Sequence, residues 1–134
     1  MPVKSKLETT SLDKLREHIS LKEVICPCGK CAPIINNDFL DRVEDARLMA
    51  SVPFHFTSFF RCNQYNKKIG GASNSPHPMG IACDIATAGD RVIARKIFDA
   101  AVLMKFQGIE LCTQHIHLDD MKRGYKVTWP GVSK

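Results

Sequence analysis

The order of patterns along this chain predicts an α+β fold, a small antiparallel sheet flanked by helices. Three observations carry it. Two segments, Asp38 to Ala50 and Asp90 to Phe106, place apolar residues at helical spacing. Several short runs rich in β-branched or aromatic residues stand between turn residues, as strands do. The two kinds of segment mix without a regular βαβ rhythm, and the last runs are joined by links short enough for antiparallel pairing.

Each element has its own signature. Residues 10–18, TSLDKLREH, fit a short helix capped by Thr10 or Ser11. Residues 20–35 contain two prolines, a glycine and three cysteines and read as a loop. From Asp38 to Ala50 one helical face gathers Phe39, Leu40, Val43, Ala46 and either Met49 or Ala50, with Asn37 as the cap. FHFTSFF, after Pro53, suggests a strand, and CNQYNKKIGG a short helix stopped by Gly70 and Gly71. ASNSPHPMG is turn chemistry, and IACDIA a short strand. The helix from Asp90 to Phe106 turns Val92, Ile93, Ile97, Ala100, Ala101 and Met104 to one side; GIELC, HIHLD and YKVTW follow as three strands.

A length of 134 residues suits one domain spanning 1–134, with its core at about 19–130. No apolar run approaches the roughly 18 to 20 residues of a membrane span, so no membrane insertion is expected. The N-terminus lacks the apolar stretch of a secretory signal. The expectation is a protein made in the cytoplasm that reaches its target by another route, such as cell lysis or carriage on a virus particle. A monomer is expected. The net charge of +5 suits an anionic partner, including a wall polymer. Its basic residues are scattered, with no Arg-rich run or aromatic-interleaved signature, so no nucleic-acid partner is expected.

Cys26, Cys28 and Cys31 form a C-x-C-x-x-C run. It supplies three thiols where a closed zinc site takes four. A second metal, a disulfide and a turn lined by small thiols all remain open for it. Cys83 and Cys112 sit in apolar runs and read as core.

Two histidine contexts stand out. In Ser75-Pro-His77-Pro-Met-Gly80-Ile-Ala-Cys-Asp84, a turn histidine precedes a strand aspartate by seven residues, and Gly80 allows a sharp bend between them. Imidazole and carboxylate are both zinc donors. Asp84 lies between apolar neighbours, where an unpartnered carboxylate is costly, so it needs a metal or an arginine. In His115-Ile116-His117-Leu118-Asp119, strand alternation puts His115, His117 and Asp119 on one face. Two histidines and one aspartate leave one tetrahedral zinc position for water, the mark of a catalytic rather than a structural site.

The stretch FTSFFRCNQYNKKIGGASNSPHPMGIACD resembles the M15 family of zinc D-Ala-D-Ala carboxypeptidases and phage endolysins. The family pattern S-x-x-R-C-x-x-x-N, GGA and S-x-H-x-x-G-x-A-x-D is met by Ser58, Arg61, Cys62, Asn66, Gly70, Gly71, Ala72, Ser75, His77, Gly80, Ala82 and Asp84. HIHLDD is similar to the family's terminal element, and ISLKEVICPCGKC to the lead-in of small phage-borne members. The resemblance implies a hedgehog/DD-peptidase-like fold. It implies Zn2+ held by His77, Asp84 and His117, and a peptidoglycan or cell-wall peptide substrate. Arg61 is implied to grip a substrate carboxylate or carbonyl, His115 to steady the oxyanion or water, and Ser75 to position its loop and the substrate. Hedgehog amino-terminal domains share this zinc site, so the site alone does not guarantee hydrolysis.

One position departs from the pattern. Many members carry Asp or Glu three residues before the last zinc histidine, as general base; here it is Gln114. Asp119 and Glu110 are the candidate replacements, with Asp119 placed slightly ahead. Asp119 could equally be the partner that orients His117. The alternative to an enzyme is a zinc-binding module of the same fold, such as a phage particle component.

Overall fold

The computed structural model describes residues 14–71, 75–122 and the backbone of 127–130. Strand β1 (Lys14–Arg16) pairs antiparallel with β2 (Ile19–Ser20), and the one-turn helix α1 (Leu21–Val24) follows. Then come α2 (Asn37–Ala50), β3 (His55–Ser58), α3 (Asn63–Lys68), a 3-10 turn (His77–Met79), β4 (Ala82–Ala86), α4 (Arg91–Leu103), β5 (Gly108–Leu111), β6 (His115–Asp119) and β7 (Val127–Pro130). The main sheet runs β3-β4-β6-β5-β7.

The architecture is the α+β one expected, with local differences. The segment expected to be a helix over 10–18 contains β1, while Thr10 and Ser11 lie outside the described residues. Tertiary contacts override a weak helical preference there. Arg16 Nε donates to Asp41 at 2.7 Å, and the His18 backbone N–H and ring meet Glu44 at 2.9 and 2.6 Å. The expected loop from residue 20 opens with α1, held by a capping box between Ser20 and Glu23. The final strand pairs with β5, and it runs parallel to it. Seven residues separate Asp119 from Val127, more than a tight hairpin needs, and β7 joins the far side of β5. Tyr125 and Lys126 fall outside the described residues.

Helix α2 starts one residue earlier than expected, capped by Asn36, whose side chain accepts from the Phe39 N–H at 2.9 Å. Its inner face is Phe39, Leu40, Val43, Ala46 and Ala50, while Met49 is exposed. Asp90 caps α4 by accepting from the Val92 and Ile93 N–H groups. Ile97, Ala100 and Ala101 are buried. Val92, expected on that face, is 65% exposed; at about 100° per residue it falls roughly 140° around the helix from Ile97.

Helix α2 packs on α4, and α4 on β5 and β6. Phe39 meets Phe59 and Phe106 edge-on at 5.8 and 5.7 Å. Cys83 and Ile85 of β4 and Ile116 and Leu118 of β6 complete this core. Cys112, expected in it, is only partly buried. Strand alternation therefore commits one sheet face to the helices and leaves Asp84, His115 and His117 on the other.

Candidate metal centre

Sheet register builds most of the site. Asp84 and His117 are direct cross-strand partners in the β4–β6 pair, and Glu110 is the partner of His117 across β5–β6. Paired residues share a face, so the three side chains converge. His77 arrives from the 3-10 turn. That turn ends at Gly80, with φ of +74°, where an added Cβ would lie 2.3 Å from the Ile34 carbonyl oxygen. The sharp bend expected at Gly80 is thus a glycine requirement. Ser75 Oγ accepts from the His77 backbone N–H at 3.2 Å.

Hydrogen bonds fix which atoms face the centre. His77 Nδ1 lies 2.7 Å from the Phe59 carbonyl oxygen. A carbonyl only accepts, so Nδ1 carries the proton and Nε2 presents its lone pair, 3.6 Å from Asp84 Oδ2. His117 Nε2 donates to Asp119 Oδ2 at 2.7 Å, leaving Nδ1 facing Asp84 Oδ1 at 2.9 Å. His77, Asp84 and His117 each offer a donor atom, all within 4.8 Å of one another. Two imidazole nitrogens and one carboxylate, each ring held through its other nitrogen, fit a zinc ion.

The charges agree. Burial pushes the Asp84 pKa up, but hydrogen bonds from His117 and then His77 outweigh it and hold the carboxyl well below the usual range. Burial pulls His117 down, but the bonds to Asp119 and then Asp84 push it up to about 9. Two carboxylates thus hold a proton on His117 in the metal-free chain, at the position a cation would take.

A pocket of about 540 Å³ opens over these residues, with Arg61, Ser75, Glu110 and His115 in its wall. Burial lowers the Arg61 pKa, partly offset by the Asp84 carboxylate. Its Nε is buried with no hydrogen-bond partner among the described residues. A buried guanidinium nitrogen without an acceptor calls for an anionic or carbonyl oxygen. A larger cleft of about 1060 Å³, near Arg42 and Asp120, contains none of these groups.

The two candidate bases sit differently. Asp119 is 1% exposed and stands behind His117, its Oδ1 accepting from the Met121 N–H at 3.0 Å. Glu110 lines the pocket. Gln114 is exposed on the turn between β5 and β6, and its carbonyl accepts from the Thr87 N–H at 2.9 Å.

Three contributors had no clear sequence signal. The Phe59 carbonyl sets the His77 tautomer through backbone, which a residue pattern does not encode. Gly108 makes room for Asp119: a Cβ there would lie 2.6 Å from a carboxylate oxygen. Cys62 joins the thiols of Cys26, Cys28 and Cys31, a grouping that sequence separation conceals.

An α+β frame thus brings two histidines and one aspartate together beside an open pocket, a donor set that could hold a metal ion. The family model described as Peptidase M15 matches residues 15–119, and the chain belongs to this peptidase family. The matched span contains the whole triad and ends on Asp119. No curated protein matches the chain.

Proposed function

We propose that the chain is a zinc-dependent peptidase that hydrolyses peptidoglycan stem peptides, at a D-Ala-D-Ala bond or a neighbouring one. The observation that carries the proposal is the convergence of His77, Asp84 and His117 beneath a pocket that also holds Arg61 and Glu110. His77 Nε2, an Asp84 oxygen and His117 Nδ1 hold the metal. Zinc in that position supplies Lewis-acid polarisation of a carbonyl and lowers the pKa of a water towards about 7.

The protein's own groups do the rest. Arg61 grips the substrate's terminal carboxylate through its guanidinium fork. Glu110 accepts the proton of the attacking water and passes it to the leaving amine as the C–N bond breaks. His115 steadies the oxyanion, and Ser75 holds the turn that carries His77. Asp119 is a positioning residue that sets the His117 ring. The net charge of +5 suits an anionic wall. The resemblance of the ISLKEVICPCGKC lead-in to phage-borne members supports a phage-type role, in lysis or on the particle.

The second reading is a zinc-binding module without efficient turnover, favoured by Gln114 at the family's usual base position. One assay separates them. The protein is incubated with purified peptidoglycan, with and without chelator, and products are read by mass spectrometry. New amino termini or released D-Ala that chelator abolishes establish the enzyme. Intact peptidoglycan with a zinc-loaded protein establishes the module.

A further inference from the structure

Four of the six cysteines meet at one point, one of them next in sequence to Arg61. Cys26, Cys28 and Cys31 come from the loop after α1, and Cys62 is the N-cap of α3. The Sγ separations are 3.3 Å for Cys28–Cys31, 3.7 Å for Cys26–Cys62 and 3.9 Å for Cys28–Cys62. All four sulfurs lie within 4.8 Å of one another. A zinc–sulfur bond of about 2.3 Å gives a tetrahedral S···S edge of about 3.8 Å, whereas a disulfide closes to about 2.05 Å. The thiols are thus spaced as the corners of a tetrahedron.

Three of the four sulfurs accept backbone N–H groups. Cys26 Sγ accepts from the Cys28 and Cys62 N–H groups at 3.5 and 3.4 Å. Cys28 Sγ accepts from the Lys30 N–H at 3.3 Å, and Cys62 Sγ from the Tyr65 N–H at 3.4 Å. Such donors delocalise charge on sulfur and orient the ligands. Four thiolates around Zn2+ carry a net charge of −2, and Lys30 and Lys68 line the same surface hollow.

We infer that Cys26, Cys28, Cys31 and Cys62 form a second, structural zinc site that fastens the segment before α2 to the start of α3. Four protein donors close the coordination sphere, so this site holds the fold and offers no position to substrate. Because Cys62 follows Arg61 directly, the site also anchors the backbone that carries Arg61 to the pocket wall. It stands whether or not the triad hydrolyses anything.

The test uses the full chain prepared under reducing conditions. Elemental analysis should find about two zinc ions per chain, falling to about one in both His77→Ala and Cys28→Ser/Cys31→Ser. Cobalt(II) then serves as a spectroscopic probe. A thiolate-to-cobalt charge-transfer band is expected in wild type and in His77→Ala, and its loss in Cys28→Ser/Cys31→Ser. If the cysteine variant does not fold, the His77→Ala spectrum decides alone, since the triad contains no sulfur. Absence of the band there overturns the inference. So does an intact mass showing Cys26–Cys62 and Cys28–Cys31 as disulfides in freshly isolated protein.

Discussion

The two donor clusters of this molecule differ in what carries them. His77, Asp84 and His117 are borne largely by the sheet, with two of the three fixed by direct pairing of β4 with β6. The cysteine cluster is borne by a loop and a helix cap, and none of its four members lies in a strand. The first has three donors and opens onto a pocket; the second has four and closes on itself. A sheet supplies rigidity before any metal arrives, so on the proposed reading its site can leave a coordination position vacant for chemistry. In the second cluster Cys26 is buried in the core, and Cys28, Cys31 and Cys62 pack against it.

The largest effect should come from removing the proposed proton acceptor on the open side. Among the described residues lining the pocket, Glu110 is the one carboxylate outside the triad. Glu110→Gln keeps its shape and removes its basicity, so kcat on peptidoglycan fragments should drop by about 10³-fold with little change in KM. Zinc content should stay at the wild-type level, because Glu110 is not a ligand. A kcat within about tenfold of wild type would place the base elsewhere and erase the functional meaning of the open side.

The clusters also differ in how far the sequence disclosed them. Strand alternation makes His115, His117 and Asp119 legible as one face, and the seven-residue spacing of His77 and Asp84 around Gly80 makes the turn legible. Both are local patterns. The distinction between Asp119 and Glu110 is not local: it depends on β5 lying beside β6, with Gly108 opening space for the Asp119 carboxylate. Cys62 stands in the matched family pattern, but its grouping with the other cysteines is hidden for the same reason, since it lies 31 residues beyond Cys31. The parallel β7 likewise depends on a partner, β5, that no short window contains. Helices α2 and α4 were legible because an amphipathic period lies within one segment, while the caps, Asn36 and Asp90, were not the residues named as caps from the sequence.

A smaller effect should come from the residue behind the triad. Asp119→Asn retains the shape but weakens the hold on His117 Nε2, and should lower zinc affinity of the triad about 10–100-fold. Competition against a chromophoric chelator measures it. Gly108→Ala should act in the same direction by displacing the Asp119 carboxylate. Zinc at the proposed cysteine site should be unaffected in both variants. Equal weakening of both metals would mean that the clusters are one cooperative unit and that the contrast between them is false.

The smallest effect is a pH slope confined to the triad. In metal-free protein His117 faces Asp84 and Asp119, with the His77 ring 5.4 Å away and Glu110 its cross-strand partner. Its pKa is pushed up from 6.5 to about 9. Below about pH 6.5 both folded and unfolded chains carry the proton, and the stabilisation is fully present. Between there and about 9 the folded chain alone keeps it, so stability falls as pH rises; above about 9 the contribution is gone. Because Asp84 and Asp119 share this one proton, the loss should be about 2 kcal/mol, less than the full shift implies. That corresponds to roughly 8 °C in Tm. Zinc must displace the proton from Nδ1, so a triad loaded across this range should lose the slope, and triad affinity should rise with pH over the same window. Thermal melts of Cys-loaded protein, with the triad empty or filled, separate the two cases. A flat Tm with the triad empty would mean His117 is neutral there, and that the two carboxylates do not hold a cation in place before the metal does.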